Sequence, residues 1–514
     1  MLLAVVAGFA TGCPNKIGEY VDTRDAVDSR TADETSDVSD GGSPPSDSGM
    51  QTAVDSDLDR DSHGRDDSNG ITDSTLSPDG DVEQSDLCTP TQERCDGVDN
   101  DCDNRIDESP NCTFTTLLGG KNADSVHDIE VDPRNGDVVV TAVIGGNVTI
   151  LKYQSDGTQI WKHLISPNGA GDPEGLAVSK KDGAIYVVGE VQDKFAGQPK
   201  IGFGDVFLLK FTSKGKKVWA RILGTSEIDE ATDLELDRKE NALFISGRTN
   251  GDLGNNVNAG KGDAFVARYD YNGNVKWITT VASGGHESDH GALAIRRDPP
   301  RLLLMRTTSG KIGSLKRSWG NAFGAMLTTD GKHKDEFDWI PYDLDNACKS
   351  SSADPKCPMH VPKAAESHGN STFVVGHYQV LANNVGEDLV ATRLGKNGGH
   401  SSDKDRWDLS DQDDSPLVDI AIDSKSGHAW VVGDTHGAPV GLTNKGRSDV
   451  LVYRYDASMN RKSPRLLGTS NRDFGSAIAV DPVTQNVYIG GSTEGDLGGN
   501  LNGGMLDGFI ARIR

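Results

Sequence analysis

DAFVAR, residues 263–268, is one of seven copies of a single phrase. An Asx residue opens it, apolar residues follow, and a basic residue closes it in all copies but one. The others are NVTILK (147–152), DVFLLK (205–210), NAFGAM (321–326), DLVATR (388–393), DVLVYR (449–454) and DGFIAR (507–512). Their last positions, 152, 210, 268, 326, 393, 454 and 512, lie 58, 58, 58, 67, 61 and 58 residues apart. Such regular spacing marks one supersecondary unit repeated seven times.

Working outward from each copy, three more strand signals recur. An apolar segment leads to aspartate: IEVD at Asp132, LELD at Asp237, IAID at Asp423, IAVD at Asp481. A β-branched or aromatic run ends in glycine: YVVG at Gly189, FISG at Gly247, FVVG at Gly376, WVVG at Gly433, YIGG at Gly491. A third segment follows a glycine turn and carries tryptophan: Trp161, Trp219 and Trp277, with Trp339 and Trp407 in more divergent copies. Four strands joined by Gly, Asn and Asp turns make a propeller blade. The sequence closes on DGFIARIR, without its tryptophan-type strand, while FTTLLGG (114–120) resembles the missing piece. The expectation is an all-β, seven-bladed β-propeller over 114–514. Its blades are four-stranded and antiparallel, and the ring shuts by pairing the N-terminal strand with the last blade.

These units resemble the SBBP-type β-propeller repeat, with its pattern D.FVAK.D..GN..W...LG.......AIAVD..GNVY..G.T, best at 258–274 and 475–509. The resemblance covers essentially all of 114–514. It implies the fold and an extracytoplasmic setting, and no activity. It departs around 301–320 and at 342–367, read as an insertion holding Cys348 and Cys357.

Composition agrees. The 514 residues include 61 glycines, 35% hydrophobic and 6% aromatic residues, which favours many short strands and turns. Of the net charge of -26, most belongs to residues 1–113, where 27 acidic residues face 7 basic ones. No basic footprint for a phosphate backbone exists, which argues against nucleic acid as a partner. Residues 14–86 hold too few apolar side chains to offset chain entropy and read as a disordered acidic linker. The same composition would suit an acidic interaction tail.

Met1–Gly12, MLLAVVAGFATG, is too short to span a bilayer as a mature helix and has the length of a signal-peptide core. Ala10-Thr11-Gly12-Cys13 resembles a lipobox, so residues 1–13 read as a lipoprotein signal with Cys13 the lipidated residue. The other reading is an ordinary secretory signal with Cys13 incidental. Pro14 after the cysteine favours the outer membrane or cell surface, with contact to the membrane through the lipid anchor only. The remaining six cysteines, Cys88, Cys95, Cys102, Cys112, Cys348 and Cys357, are disulfide candidates in an oxidising compartment.

Residues 87–113 form a Cys/Asp-rich module. CDGVDNDCDNRIDE, residues 95–108, resembles the MopE-type metal-binding motif, departing from it at Asn104 where the pattern has glycine. The chemistry also stands by itself. Asp99, Asp101 and Asp103 alternate as in the first half of a calcium loop, with Asp96, Asp107 and Glu108 available to complete the shell. Calcium is the cofactor expected. The family name carries a copper association, but no His or Met lies here to favour copper. A disulfide-stapled acidic turn without a specific ion is the alternative.

Two loops share a phrase, GDLGNNVNAGKGDAF (251–265) and GDLGGNLNGGMLDGF (495–509). Asp252, Asn258, Asp496 and Asn502 would serve either polar ligands or turn chemistry, and the Gly/Asn content favours turns. His286-Glu287-Ser288-Asp289-His290 matches HExxH, a zinc pattern that needs a helix, yet it sits in an inter-strand loop between glycines. The tryptophan turns resemble quinone-cofactor propellers, though tryptophans also simply pack between sheets. The sequence thus points to a non-catalytic lipoprotein whose propeller binds a protein, peptide or glycan of the cell envelope. The alternatives are an extracytoplasmic enzyme, hydrolase or quinone-type oxidoreductase, using the central funnel, and a spacer role for the calcium module and tether.

Overall fold

The structure, a computed structural model, describes residues 114–513 apart from 166–170, 282–284, 286, 309–320, 339–358, 380–387, 396–405, 409–415, 438–441 and 463. Cys13, the segment 14–86, the module 87–113 with all its cysteines and acidic residues, and Cys348, Cys357 and Trp339 lie outside the described residues.

The described strands make seven four-stranded sheets, six of them consecutive in the chain. Blades are numbered here from the sheet that opens with Ser125. The innermost strands are Ser125–Val131, Gly171–Val178, Asp229–Asp237, Glu287–Arg297, Met359–His368, Leu417–Ile422 and Asp473–Val480. Each neighbours the next, and the seventh meets the first, so they ring an axis. Blade 7 has the mixed origin expected: Phe114–Leu118 pairs antiparallel with Asp507–Ile513, setting Phe114 opposite Arg512 and Leu118 opposite Gly508.

Burial explains the sequence pattern. Inner strands are covered on both faces by neighbouring sheets, so they read as near-continuous apolar runs, such as the fully buried Ala242–Thr249. Outermost strands alternate toward solvent, as in Gln159–Leu164 with Ile160 43% and Leu164 57% exposed. The glycine near the end of the second strand in five blades has a steric cause. The innermost strand bulges beside it, and a Cβ at Gly247 would strike the Glu230 carbonyl, as one at Gly433 would strike that of Pro416.

Two expectations need adjusting. The stretch 342–367 is not wholly an insertion, because Met359–His368 is the innermost strand of blade 5, paired with Ser371–Gln379. Its bulge at Lys363, between Pro362 and Ala364, interrupts the alternation that would have revealed it. The HExxH string, expected in an inter-strand loop and not a helix, is indeed non-helical, but from Glu287 onward it is β-strand.

Candidate functional site: an acidic axis between two faces

The innermost strands bring carboxylates to the axis on two tiers. The first residue after the bulge is aspartate in blades 1, 3 and 6: Asp128, Asp233 and Asp419. Two residues later stand Glu130, Glu235 and Glu366, from blades 1, 3 and 5. Each tier feels the far side of the ring. Burial pushes Asp128 well up, and Asp419, Glu130 and Asp233 add to it. Burial likewise raises Asp233 to about 6, Glu130 to about 7, Asp419 to about 7 and Glu366 to about 8. Glu235 is pushed well up by burial first and by neighbouring carboxylates second. Arg238, in the turn after the blade 3 strand, faces Glu130, Glu235 and Glu366 and partly offsets them.

Most of these carboxylates are already engaged. Asp128 accepts the Ile129 amide at 2.7 Å and, across the junction, the Leu176 amide of blade 2 at 2.7 Å. Asp233 does the same with Leu234 and Leu293 at 2.6 and 2.8 Å. Asp419 repeats it with Ile420 and Ile478 at 2.7 and 2.8 Å. Glu366 accepts the Ile422 amide of blade 6 at 2.5 Å. The axial acids are therefore clasps between blades, each satisfying buried amides that would otherwise be costly. Among the described residues, no group of three or more His, Cys, Asp and Glu side chains is arranged to hold a metal ion.

On one face, long loops follow the second strands. Their backbones hang on buried aspartates, each accepting the amide four residues earlier: Asp205 from Ile201, Asp263 from Ala259, Asp449 from Lys445, Asp507 from Gly503. Asp124, Asp229 and Asp473 do the same for Gly120, Thr225 and Thr469 before the innermost strands. This is the role of the Asx that opens most copies of the repeated phrase. Asp252 and Asn258 are likewise spent within their loop: Asp252 accepts the Asn258 amide at 2.8 Å, and Asn258 donates to the Thr249 carbonyl at 2.9 Å. Asp496 and Asn502 repeat this at 2.8 and 2.9 Å. The turn-chemistry reading of these loops holds. Their tips expose apolar side chains: Phe203 70%, Val257 75%, Leu501 81% and Met505 78%.

On the opposite face, the basic residue closing most of the repeated phrases docks the next blade. Lys210 donates to the Tyr271 carbonyl at 3.1 Å, Arg268 to Thr329 at 3.1 Å, and Arg512 to Ser155 across the ring closure at 2.9 Å. Four of them lie over an aromatic ring: Lys210 over Tyr186, Arg268 over Phe244, Arg454 over Trp430, Arg512 over Phe114. The tryptophans join in, Trp219 donating to the Tyr271 carbonyl at 3.3 Å and Trp277 to that of Thr329 at 3.2 Å. Gly273, at φ 78°, lets its turn lie on the Trp219 ring. Trp407 sits on the outermost strand of blade 5, as expected. The sequence displayed the basic residues, the aromatics and the tryptophans separately; only the cross-strand register shows that they form one device.

Residues 465–498 match the SBBP beta-propeller repeat family. The repeat begins at the outermost strand of blade 6 and runs through the two innermost strands of blade 7. The chain is also 30% identical over 211 residues to the protein named regulatory protein FlaEY of Caulobacter vibrioides, a match covering 36% of this chain and 22% of that protein. The chain thus spans about a fifth of the length of the curated relative it matches. Among the described residues, no helix is long and apolar enough to cross a membrane.

Proposed function

We propose that the chain is a lipid-anchored binding protein of the cell envelope. In this reading Cys13 carries the lipid at the outer membrane or cell surface, residues 14–86 act as tether, and the 87–113 module binds calcium through Asp96, Asp99, Asp101, Asp103, Asp107 and Glu108. The propeller presents its long-loop face to a protein, peptide or glycan and performs no chemistry. The observation carrying this reading is that face, where a rigid, aspartate-held loop frame exposes Phe203, Val257, Leu501 and Met505 to solvent. Exposed apolar side chains on fixed loops suit recognition. The relative named a regulatory protein supports an interaction role as well.

The test is capture of envelope components by the full chain against a variant with these four residues changed to serine. Loss of a specific captured species in the variant is the expected outcome; identical capture would remove the long-loop face from consideration. Convergence of six carboxylates on the axis favours a second reading, catalysis in the central channel. The double substitution Glu130→Gln and Glu235→Gln tests it: loss in the variant of a turnover that the parent chain shows on envelope material would support it, and no turnover by the parent, or turnover unchanged in the variant, would leave the axis a structural role. Calcium-dependent protease resistance of 87–113 tests the metal module.

A further inference from the structure

One position on the outermost strands is covered in blades 2 and 3 and bare in blade 1. Trp161, Trp219 and Trp277 stand opposite Lys152, Lys210 and Arg268, so Lys162 and Leu164 of blade 1 correspond to Ala220 and Ile222 of blade 2 and to Ile278 and Thr280 of blade 3. Ala220 is buried and Ile222 packs into the core between blades 1 and 2, as Ile278 packs into the core between blades 2 and 3. Leu164 is instead 57% exposed, with Lys162 exposed beside it. Both face junction 7/1, between blades 7 and 1. Lys162 stands opposite Leu151, which belongs to the core of that junction, while Trp161 and His163 on the other face meet the Gly215 turn of blade 2. The closure strand gives little cover there, because it presents Thr116 where blade 2 presents Arg221.

Two observations say what covers it. The first is where the chain enters the ring. Residues 87–113 run directly into Phe114. Phe114 lies on the Gly157 turn of blade 1, at the face opposite the long loops, where Arg512 donates to the Ser155 carbonyl. That turn leads straight into Gln159–Leu164. Ile106 stands eight residues before Phe114, a reach of about 28 Å at most, against about 20 Å for the whole strand Gln159–Leu164. The second observation is charge. Residues 87–113 hold seven acidic residues and two basic ones. Junction 7/1 offers exposed Lys162 and, from the linker between the closure strand and blade 1, exposed Lys121. Its own acids, Asp124 and Asp507, are buried. Burial raises the Asp124 carboxyl, and Lys162 lies near enough to oppose that rise. The exposed acid of the blade 1 hairpin, Asp156, is at the far end of the strand and accepts the Thr158 amide at 2.9 Å.

We propose that the segment 87–113 folds back onto junction 7/1. Its apolar residues Val98 and Ile106 cover Leu164, and its carboxylates lie beside Lys121 and Lys162. The docking needs no metal ion, so it is independent of the calcium reading.

Carbodiimide coupling of the full chain in the presence of a chelator, followed by peptide mapping, tests this. Lys121 or Lys162 is expected to be joined to a carboxylate between Glu93 and Glu108 of the same chain. Trypsin cleavage after Arg105, also with chelator present, is the second measurement. The double substitution Leu164→Ser and Lys162→Gln, at two exposed positions, is expected to speed that cleavage by about tenfold while the propeller keeps its melting temperature. Coupling of these lysines only to other carboxylates or only between two copies, no coupling at all, or equal cleavage rates in the parent and the folded variant would each overturn the proposal.

Discussion

Junctions 1/2 and 2/3 solve one problem in opposite ways. Junction 1/2 is clasped at the axis, where Asp128 accepts the Leu176 amide, and is more open toward the short-turn face, where Arg134, Lys152, Trp161 and Ser213 border a recess. Junction 2/3 has Gly175 at the axial position, with no side chain to reach across, and is packed tightly with Tyr186, Tyr271, Lys210 and Trp219 toward the short turns. A propeller blade needs its neighbour held somewhere along the shared face, but the place is negotiable. Where a polar clasp holds the axis, aromatic packing farther out is released for other use.

Substitutions can break this contrast. The largest effect is expected from Tyr186→Ala, which empties a fully buried aromatic site and should cost about 3–5 kcal/mol by denaturant titration. Next is Asp128→Ala, which strands two buried amides and should cost about 2–4 kcal/mol, although Asp128 makes no aromatic contact. A loss below that of an ordinary surface change would show that the axial clasp holds nothing.

The axis should also respond to pH. Asp233, Glu130, Asp419 and Glu366 have folded-state values raised to between about 6 and 8, so the protonated carboxyl is the form the fold favours. Their contribution is fully present below the usual carboxylate range and is lost as pH rises through 6 to 8. The slope approaches about 1.4 kcal/mol per pH unit for each group protonated only in the folded chain. Unfolding midpoints should therefore fall between pH 5 and pH 8, and Glu366→Gln should flatten the fall. A flat profile would show that these acids are ionised in the fold at no cost.

The smallest and sharpest comparison is between two tryptophans. Trp219→Phe loses a hydrogen bond to the Tyr271 carbonyl and should cost about 1 kcal/mol. Trp161→Phe loses none and should leave stability within about 0.5 kcal/mol of the parent. Equal losses would erase the distinction between the two junctions.

Much of this architecture was legible in the sequence, for a physical reason. A blade is a local unit of fixed length, so its strands, turns and the closing segment at Phe114 leave a regular imprint. The axial acids stand in the sequence as the glutamate inside IEVD and LELD, but scattered acids of this kind carry no meaning without their geometry. Nothing in one strand says that its polar edge meets six others around an axis. The more open junction was hidden differently. Ser213 is ordinary where it stands, and acquires meaning only when its turn is set against that of Tyr271. The innermost strand of blade 5 was obscured because Pro362 and a bulge interrupt its period.

The closure strand has a further consequence for how the chain matures. Phe114–Leu118 is made before any blade, yet its one sheet partner among the described residues, Asp507–Ile513, is made after all the other strands. During folding the chain must carry five residues of uncovered strand edge while six sheets assemble, an invitation to pair with the wrong molecule. Chaperone demand should therefore peak just before the last blade is delivered, and a chain cut short there should be captured or degraded and not accumulate as a six-bladed ring.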